Sequence, residues 1–344
     1  MEISLTDFSI SDQMSAWPDF SGYKEIRCDT GRTALRLALE DWQTKTDGRG
    51  QVWVPDYLCS SVFNVIKTQG IPFTVYIDLP GLHSMIKLPK PKDDDLVVIV
   101  HYFGKLNSFA LGWLADNPLR RWRVLEDCVQ SPYSKGVCMI GDYALTSLRK
   151  WWPAPDGAQL FTNKPLSYKP DLAPPDECFI SQRLTAKILR STIKNESQYL
   201  DLIHSSEEKL ETSPPRNCSY FSARLLSCCD KQTALNHRRS NWQFINSHLN
   251  EVADQGDIFS SLYKTLLIDE VPLTYPIRVA KGRRNRLRAW LSERKIYCPI
   301  HWSVDASADV RSMTLSESIL SLPIDQRYNE EDMARIVGEL SCFV

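Results

Sequence analysis

The chain has 344 residues, of which 43% are hydrophobic, and its formal charge at pH 7 is −1. This length is ample for a buried core and favours two lobes over one compact unit. A charge so close to zero gives no electrostatic reason to expect a nucleic acid or an acidic membrane as a partner. No secretory signal pattern opens the chain, and its longest apolar run, LVVIV at 96–100, is too short to cross a bilayer. We therefore expect a cytoplasmic protein.

The ten cysteines do not follow a pattern typical of cross-linked or metal-binding proteins. None of them belongs to a C-x-x-C pair, and Cys228 and Cys229 are adjacent. In a cytoplasmic protein the thiols are expected to stay reduced, so we predict neither a disulfide framework nor a zinc site.

Residues 28–163 alternate between segments that favour helices and segments that favour strands. In CDTGRTALRLALEDW at 28–42, apolar residues recur on one helical face behind a capping Asp29 or Thr30. A second helix is predicted over 61–70. Strand-like runs occupy 51–55, 73–78, 96–103, 122–127, 142–148 and 158–163. Because these runs are apolar and separated by helices, they predict an α/β lobe with a mostly parallel mixed sheet covered by helices.

The pattern changes after this region, and helices dominate from about residue 215. The predicted elements are a loop at 169–177, helices at 178–193 and 285–294, a strand at 273–279, and a closing helix that Asn329 caps. They favour a smaller α+β lobe behind the larger one. The predicted divisions are an N-terminal segment at 1–27, a large lobe at 28–215 and a small lobe at 216–344.

Open α/β sheets bind ligands beyond the carboxyl ends of their strands, and three polar features lie at such ends. DTGRTAL at 29–35 is a glycine turn that opens a helix, whose free N–H groups suit a phosphate. An ordinary turn is the more common explanation of that pattern. Asp127 follows an apolar strand, so its carboxylate needs a charged or donor partner. That partner is either a nearby arginine or a cationic ring nitrogen.

The third feature is TSLRK, in which Ser147 and Lys150 lie at or just past a strand end. Pro153 and Pro155 follow and prevent regular strand pairing, so we expect a turn there. A lysine held in such a turn loses solvation, which lowers the pKa of its amine and lets it condense with an aldehyde. A solvated surface lysine is the ordinary alternative.

Together, the three features match the requirements of one cofactor. Pyridoxal phosphate (PLP) needs a lysine for its aldehyde, an acid for its pyridinium nitrogen and an anion-binding turn for its phosphate. A serine or an amide near the ring hydroxyl completes the set. The sequence supplies these four roles in order at successive strand ends and therefore predicts a PLP-dependent enzyme.

The motif order also resembles that of a known family. The series TGRTAL, VPDYLCSSVFNVIKTQG, VYID, VHYFG, EDCVQS, GDYALTSLRK and SLPIDQRYNEEDMARI is similar to the DegT–DnrJ–StrS family. Its members are PLP-dependent aminotransferases that act on keto-sugars and have the fold of aspartate aminotransferase, fold type I. The resemblance is dense over 28–163, loose over 270–340 and thin between them. It implies that the large lobe binds PLP.

The resemblance implies roles for individual residues around the cofactor ring. Lys150 matches the lysine that bonds to the aldehyde as a Schiff base and moves the proton between substrate and cofactor carbons. Asp127 matches the acid at the pyridinium nitrogen, and Gln130 matches the residue close to the ring hydroxyl. Family relatives with a histidine in the lysine position are dehydratases, so Lys150 favours amino transfer.

The resemblance implies a phosphate site as well. Ser147 matches the phosphate-binding serine, and Gly31 and Arg32 match the pair whose backbone amides hold the phosphate. The S-x-x-K spacing from Ser147 to Lys150 is shorter than is usual in the family and equals that of aspartate aminotransferase.

The residue that stacks on the cofactor ring is left open. Cys59 stands where the family often places an aromatic residue; a sulfur can contact a ring face, and Tyr57 and Tyr102 are the alternatives. His301 could contact the substrate from the smaller lobe, although a structural role is more common. His101 is expected to be a packed structural histidine.

The resulting prediction is a cytoplasmic homodimer with shared active sites that moves an amino group from an amino acid, L-glutamate, to a nucleotide-linked keto-sugar. Such a reaction has ping-pong kinetics and belongs to the biosynthesis of polysaccharide or antibiotic sugars. A PLP-fold protein with a binding or regulatory role and a PLP enzyme for a non-sugar substrate are the alternatives. S-x-x-K also occurs in penicillin-binding serine acylases, but there the serine opens a helix, whereas a strand-like run precedes Ser147.

Overall fold

The structure is a computed structural model that describes residues 15–81, 89–192, 196–253 and 258–343. Its contacts divide the chain into two units. The first contains the described part of Met1–Gly48 together with Asp142–Lys231, and the second contains Arg49–Gly141 and Gln232–Val344. These units differ from the predicted lobes, whose boundaries stay a prediction.

The described residues contain ten strands and ten helices. The strands are β1 (Lys24–Cys28), β2 (Val52–Pro55), β3 (Phe73–Tyr76), β4 (Leu96–Val100), β5 (Arg123–Asp127), β6 (Tyr143–Ser147), β7 (Ala158–Thr162), β8 (Phe259–Ser261), β9 (Tyr275–Val279) and β10 (Ile319–Leu322). The helices are α1 (Gly31–Lys45), α2 (Ser60–Thr68), α3 (Ser108–Ala115), α4 (Glu177–Thr192), α5 (Glu196–Lys209), α6 (Tyr220–Ser227), α7 (Lys231–Ala253), α8 (Arg284–Glu293), α9 (Val310–Ser318) and α10 (Glu330–Ser341).

Seven strands form a large sheet in the order β1-β7-β6-β5-β4-β2-β3. Strand β2 pairs in parallel with β3 and β4, and β4 pairs in parallel with β5. Strand β7 runs antiparallel to both of its neighbours, β1 and β6. All residues of β4 and β6 are buried, as expected for strands that are covered on both faces. The mixed, mostly parallel sheet confirms the predicted fold class.

The six predicted strand runs correspond to β2 through β7, and the largest difference is an early end. The run at 96–103 stops being a strand at Val100, because a 3-10 turn follows at Tyr102–Gly104. Gly104 has a φ of +94°, and a Cβ there would lie 2.1 Å from the carbonyl oxygen of Val271. Glycine is therefore required at this bend.

Helix α1 begins as the sequence predicts. Thr30 is its N-cap, and its hydroxyl accepts a hydrogen bond from the N–H of Thr33 at 3.3 Å. The apolar residues Leu35, Ala38 and Leu39 of the predicted face are all buried. The cap and the face together explain why the helix starts here.

Within the second unit, β10, β9 and β8 form an antiparallel sheet in that order. Its buried residues, among them Tyr275, Ile277 and Leu320, join a hydrophobic core with α8 and α10. Helix α10 starts with a reciprocal capping box between Asn329 and Asp332, as the predicted cap at Asn329 requires. None of the helices in the described ranges has the length and apolar character needed to traverse a bilayer.

Asp78, just after β3, is a buried carboxylate with a perturbed pKa. Its side chain accepts a hydrogen bond from Asn107 at 2.8 Å. Burial raises the pKa of Asp78 from 3.8 to about 7, and the hydrogen bond from Asn107 only partly opposes this rise. Between these two values the folded state binds more protons than the unfolded state, so the free energy of unfolding falls as the pH rises.

Asp78→Asn removes the ionisable group and keeps an oxygen that can accept from Asn107. We expect the stability of the wild-type protein to fall relative to this variant as the pH rises from about 4 to about 8. Urea unfolding at a series of pH values measures the difference. The exposed Asp93 provides the control, because Asp93→Asn should follow the wild-type profile. Parallel pH profiles of stability for Asp78→Asn and the wild type would contradict the raised pKa of Asp78.

Candidate active site

The first turn of α1 leaves backbone donors open. The N–H groups at the start of a helix have no acceptor within that helix. Thr33 donates to the hydroxyl of Thr30 at 3.3 Å, and Ala34 donates to the carbonyl of Thr30 at 3.1 Å. The N–H groups of Gly31 and Arg32 have no acceptor among the described residues. These two amides are the predicted phosphate ligands.

Ser147, the last residue of β6, lies against this turn. Its side chain is 3% exposed, and a Cβ added to Gly31 would lie 3.5 Å from the Cβ and 3.9 Å from the Oγ of Ser147. The absence of a side chain at Gly31 therefore leaves space beside the serine hydroxyl. The structure brings together the three predicted phosphate-binding residues, Gly31, Arg32 and Ser147.

Lys150 ends the 3-10 turn Leu148–Lys150 that follows β6 directly. The turn is closed at Trp151, whose N–H donates to the carbonyl of Leu148 at 2.9 Å, and Leu148 itself donates to Gly157 at 2.9 Å. The side chain of Lys150 is exposed. The expected desolvation of its amine is therefore not found in the single chain.

Arg149, in the same turn, is anchored away from solvent. Its guanidinium donates to both carboxylate oxygens of Glu207 on α5, at 2.6 and 3.3 Å. Burial by itself raises the pKa of Glu207, but Arg149 and two further arginines outweigh burial and lower the pKa to about 2. This carboxylate is thus ionised at neutral pH. No sequence motif indicates the pair, since its members lie far apart along the chain.

The second unit carries Asp127 and Gln130. Asp127 ends β5, is buried, and accepts the N–H of Val129 at 3.0 Å through one carboxylate oxygen. Gln130 is 2% exposed, and its side-chain oxygen accepts the N–H of Phe103 at 2.8 Å. Asp127 therefore lies at a strand end as predicted, and the amide oxygen of Gln130 supports the turn after β4.

Tyr57, Tyr102, His301 and Trp302 form an aromatic group within the second unit. The ring centroids of Tyr57, Tyr102 and Trp302 are 5.9 to 6.1 Å apart. The Tyr57 hydroxyl donates to the carbonyl of His301, and the Tyr102 hydroxyl donates to the carbonyl of Tyr57 at 2.9 Å. The His301 ring nitrogen Nδ1 lies 2.9 Å from the hydroxyl of Ser321. The structure thus brings the backbone of the predicted substrate residue His301 next to Tyr57, and Trp302 next to both candidate stacking tyrosines.

Trp302 is not among the predicted site residues, although it directly follows His301. Cys59 occupies the N-cap position of α2, is half-buried, and has its sulfur 3.1 Å from the hydroxyl of Ser61. Which residue would stack on a cofactor ring stays a prediction.

His101 and Glu126 form a fully buried pair. The Nε2 atom of His101 lies 3.0 Å from Glu126, while its Nδ1 accepts the N–H of Asn107 at 3.1 Å. An acceptor at Nδ1 fixes the neutral tautomer with the proton on Nε2. Burial raises the pKa of Glu126, but the hydrogen bonds from His101 and the backbone outweigh burial, so the net pKa is lowered.

Atoms of His101, Glu126 and Cys128 lie within 4.8 Å of one another, as metal ligands would. The Cys128 thiol donates to the carbonyl of Glu126 at 3.7 Å, and burial raises its pKa well above the ordinary value. The described contacts within the group are hydrogen bonds that join Glu126, near the end of β5, to His101 and Cys128.

No protein-family model matches the sequence, and a comparison with curated proteins gives no match either. Solved structures do resemble the fold. A DegT DnrJ EryC1 StrS aminotransferase from Brucella abortus is 18% identical with a TM-score of 0.59, and the match covers 94% of this chain and 86% of that one.

Two further solved structures have the same architecture. A sugar aminotransferase from Micromonospora echinospora is 16% identical with a TM-score of 0.61, and the match covers 93% of this chain and 87% of that one. The protein NtdA of Bacillus subtilis, with bound cofactor PMP, is 13% identical with a TM-score of 0.64 and coverages of 92% and 72%. At these identities the likeness establishes the fold, which this chain shares with aminotransferases.

Proposed function

We propose that the protein is a PLP-dependent aminotransferase that moves an amino group from an amino acid to a keto-sugar. The observation that carries this proposal is the contact between the first turn of α1 and Ser147, one 3-10 turn before Lys150. This contact places a candidate anion-binding turn and a lysine at the same strand end. The aminotransferases that share the fold support the same function.

The residues at this strand end fit the phosphate of PLP. Two free N–H groups at a helix start carry partial positive charge, and the Ser147 hydroxyl adds a third donor. A phosphate can accept all three hydrogen bonds. The absence of a Cβ at Gly31 leaves the space that a phosphate oxygen would use.

The remaining site residues keep the roles that the sequence predicts. When bound, PLP supplies an aldehyde that reacts with amines and a ring that accepts electrons. Lys150 would hold the aldehyde and move the substrate proton with its amine. Asp127 would keep the ring nitrogen protonated, and Gln130 would lie near the ring hydroxyl. Cys59, Tyr57 and Tyr102 are the candidates for stacking.

The substrate side of the proposal is an L-glutamate donor and a nucleotide-linked keto-sugar acceptor. The sugar aminotransferase among the solved structures supports this acceptor class, and His301 is the candidate contact. Because the side chain of Lys150 is exposed in the single chain, a second subunit that covers it would supply the missing desolvation. We therefore include a cytoplasmic homodimer with shared sites.

The same exposure favours one alternative, a protein of this fold that binds a ligand without catalysis. Half-transamination distinguishes the two functions, because a binding protein would not convert PLP to its amine form, PMP, when L-glutamate is added.

Lys150→Ala should remove the covalent link to PLP and lower the half-transamination rate with L-glutamate by at least about 100-fold, the lower end of a general acid–base contribution. Visible absorbance and mass spectrometry after borohydride reduction measure the link, and stopped-flow absorbance measures the rate. Asp127→Asn should keep the link and slow the reaction.

The exposed Lys164 supplies the control for the lysine variant, since Lys164→Ala should keep both colour and rate. Full turnover by Lys150→Ala would exclude the proposed function. A wild-type protein that never acquires PLP would exclude it as well.

Ser147→Ala removes one hydrogen bond to a charged group, worth about 1.5–3 kcal/mol, so PLP should bind roughly ten- to 100-fold more weakly. Gly31→Ala should act in the same direction, because its methyl group would fill the space beside the serine hydroxyl. Fluorescence titration of cofactor-free protein with PLP gives both dissociation constants.

Gly338→Ala is the control, because Gly338 lies in α10 and, outside that helix's own backbone, no atom of the described residues lies within 4 Å of an added Cβ. Alanine also favours a helix over glycine, so Gly31→Ala should not destabilise the fold. Unchanged PLP affinity in both Ser147→Ala and Gly31→Ala would show that the phosphate does not bind at this location.

A further inference from the structure

Three arginines of the first unit converge on the carboxylate of Glu207. Arg149 donates to it from two nitrogens, at 2.6 and 3.3 Å. Arg32 donates at 3.2 Å, and a terminal nitrogen of Arg183 lies 3.2 Å away. These arginines come from the turn after β6, the first turn of α1, and α4. One carboxylate therefore joins three separate segments.

Two of these arginines are chain neighbours of the proposed cofactor contacts. Arg149 precedes Lys150 within the same 3-10 turn, and Arg32 follows Gly31 at the start of α1. Consecutive Cα atoms lie about 3.8 Å apart, so holding one residue limits how far the next one can move. The two contacts with Glu207 therefore restrict both the lysine and the first-turn amides.

The arginines depend on this carboxylate because they are largely buried. The side chains of Arg149, Arg183 and Arg32 are 9%, 12% and 17% exposed. The Nε atom of each has no hydrogen-bond partner within the part of the chain that the structure describes. Glu211 adds a second carboxylate, 3.2 Å from Arg32. Burial and the charge of Arg149 lower the pKa of Arg183 to about 10, as expected for crowded cations.

We propose that Glu207 is a positioning residue that fixes Lys150 relative to the first turn of α1 through Arg149 and Arg32. This inference rests on the proposed function, because that geometry decides how the lysine meets a phosphate-anchored cofactor. Removing the negative charge leaves three neighbouring cations that repel one another. The turn and the start of α1 then lose their common anchor.

Hydrogen exchange in cofactor-free protein tests the positioning directly. Glu207→Gln should speed the exchange of backbone amides at 30–34 and 147–152. Glu208→Gln is the matched control, because Glu208 is the next residue on α5 and pairs only loosely with His204, 3.7 Å away and exposed. This control should exchange like the wild type.

Binding and kinetics provide the second measurement. In Glu207→Gln we expect PLP to bind about tenfold more weakly, and the half-reaction with L-glutamate at saturating PLP to slow by about tenfold or more, since small misplacements are costly. The KM for L-glutamate should be nearly unchanged. Glu207→Asp, which keeps the charge, should recover part of the rate. A merely structural cluster would lower thermal stability and leave the saturated rate unchanged.

Arg149→Lys covers the case in which Glu207→Gln does not fold. A lysine keeps the charge but cannot make the two-point contact with a carboxylate, so it should reproduce the faster exchange and the slower half-reaction. Wild-type exchange or wild-type saturated rates in whichever of these variants folds would overturn the positioning role. If the wild-type protein binds no PLP, the proposed function fails, while the exchange measurement still decides the positioning role.

Discussion

The candidate site depends on the close contact between the first turn of α1 and the end of β6. Gly31 leaves this contact open to a ligand, because a side chain there would occupy the space beside the hydroxyl of Ser147. Open amides of a helix start and the last hydroxyl of a strand then lie side by side, where an anion is favoured. The lysine turn follows β6 without any intervening residue. The proposed phosphate anchor and the proposed reactive amine are thus placed by one local packing arrangement.

Much of the fold could be predicted because it is built from apolar runs of regular period. Strands β2 through β7, α1 and the capped α10 all follow from such local patterns. Strand β1 could not be found this way, since three of its five residues are exposed and its pairing with β7 is a distant contact. Strands β8 and β10 are short and depend on β9 between them. Where the local sequence pattern is weak, pairing with other strands determines whether a segment forms a strand.

The candidate site was predictable to the extent that its residues follow strand ends. Ser147 and Asp127 are the last residues of β6 and β5, as predicted, whereas Gly31 is the first residue of α1. The surroundings of the lysine were not predictable, because the solvation of a side chain depends on everything packed near it. The ion pair between Arg149 and Glu207 joins residues 58 positions apart, so no motif indicates it. The proximity of His301 to Tyr57 and Phe103 is likewise a product of tertiary folding.

Glu126 and Asp127 are consecutive residues of β5, so their side chains project to opposite faces of the sheet. Glu126 is held by His101 and by the backbone amides of Cys138, Ile140 and Gly141. A slip of β5 by one position would exchange the two carboxylates and break all four bonds at once. The buried hydrogen bonds of Glu126 thus fix the register of β5, and they determine that Asp127 lies on the opposite face of the sheet.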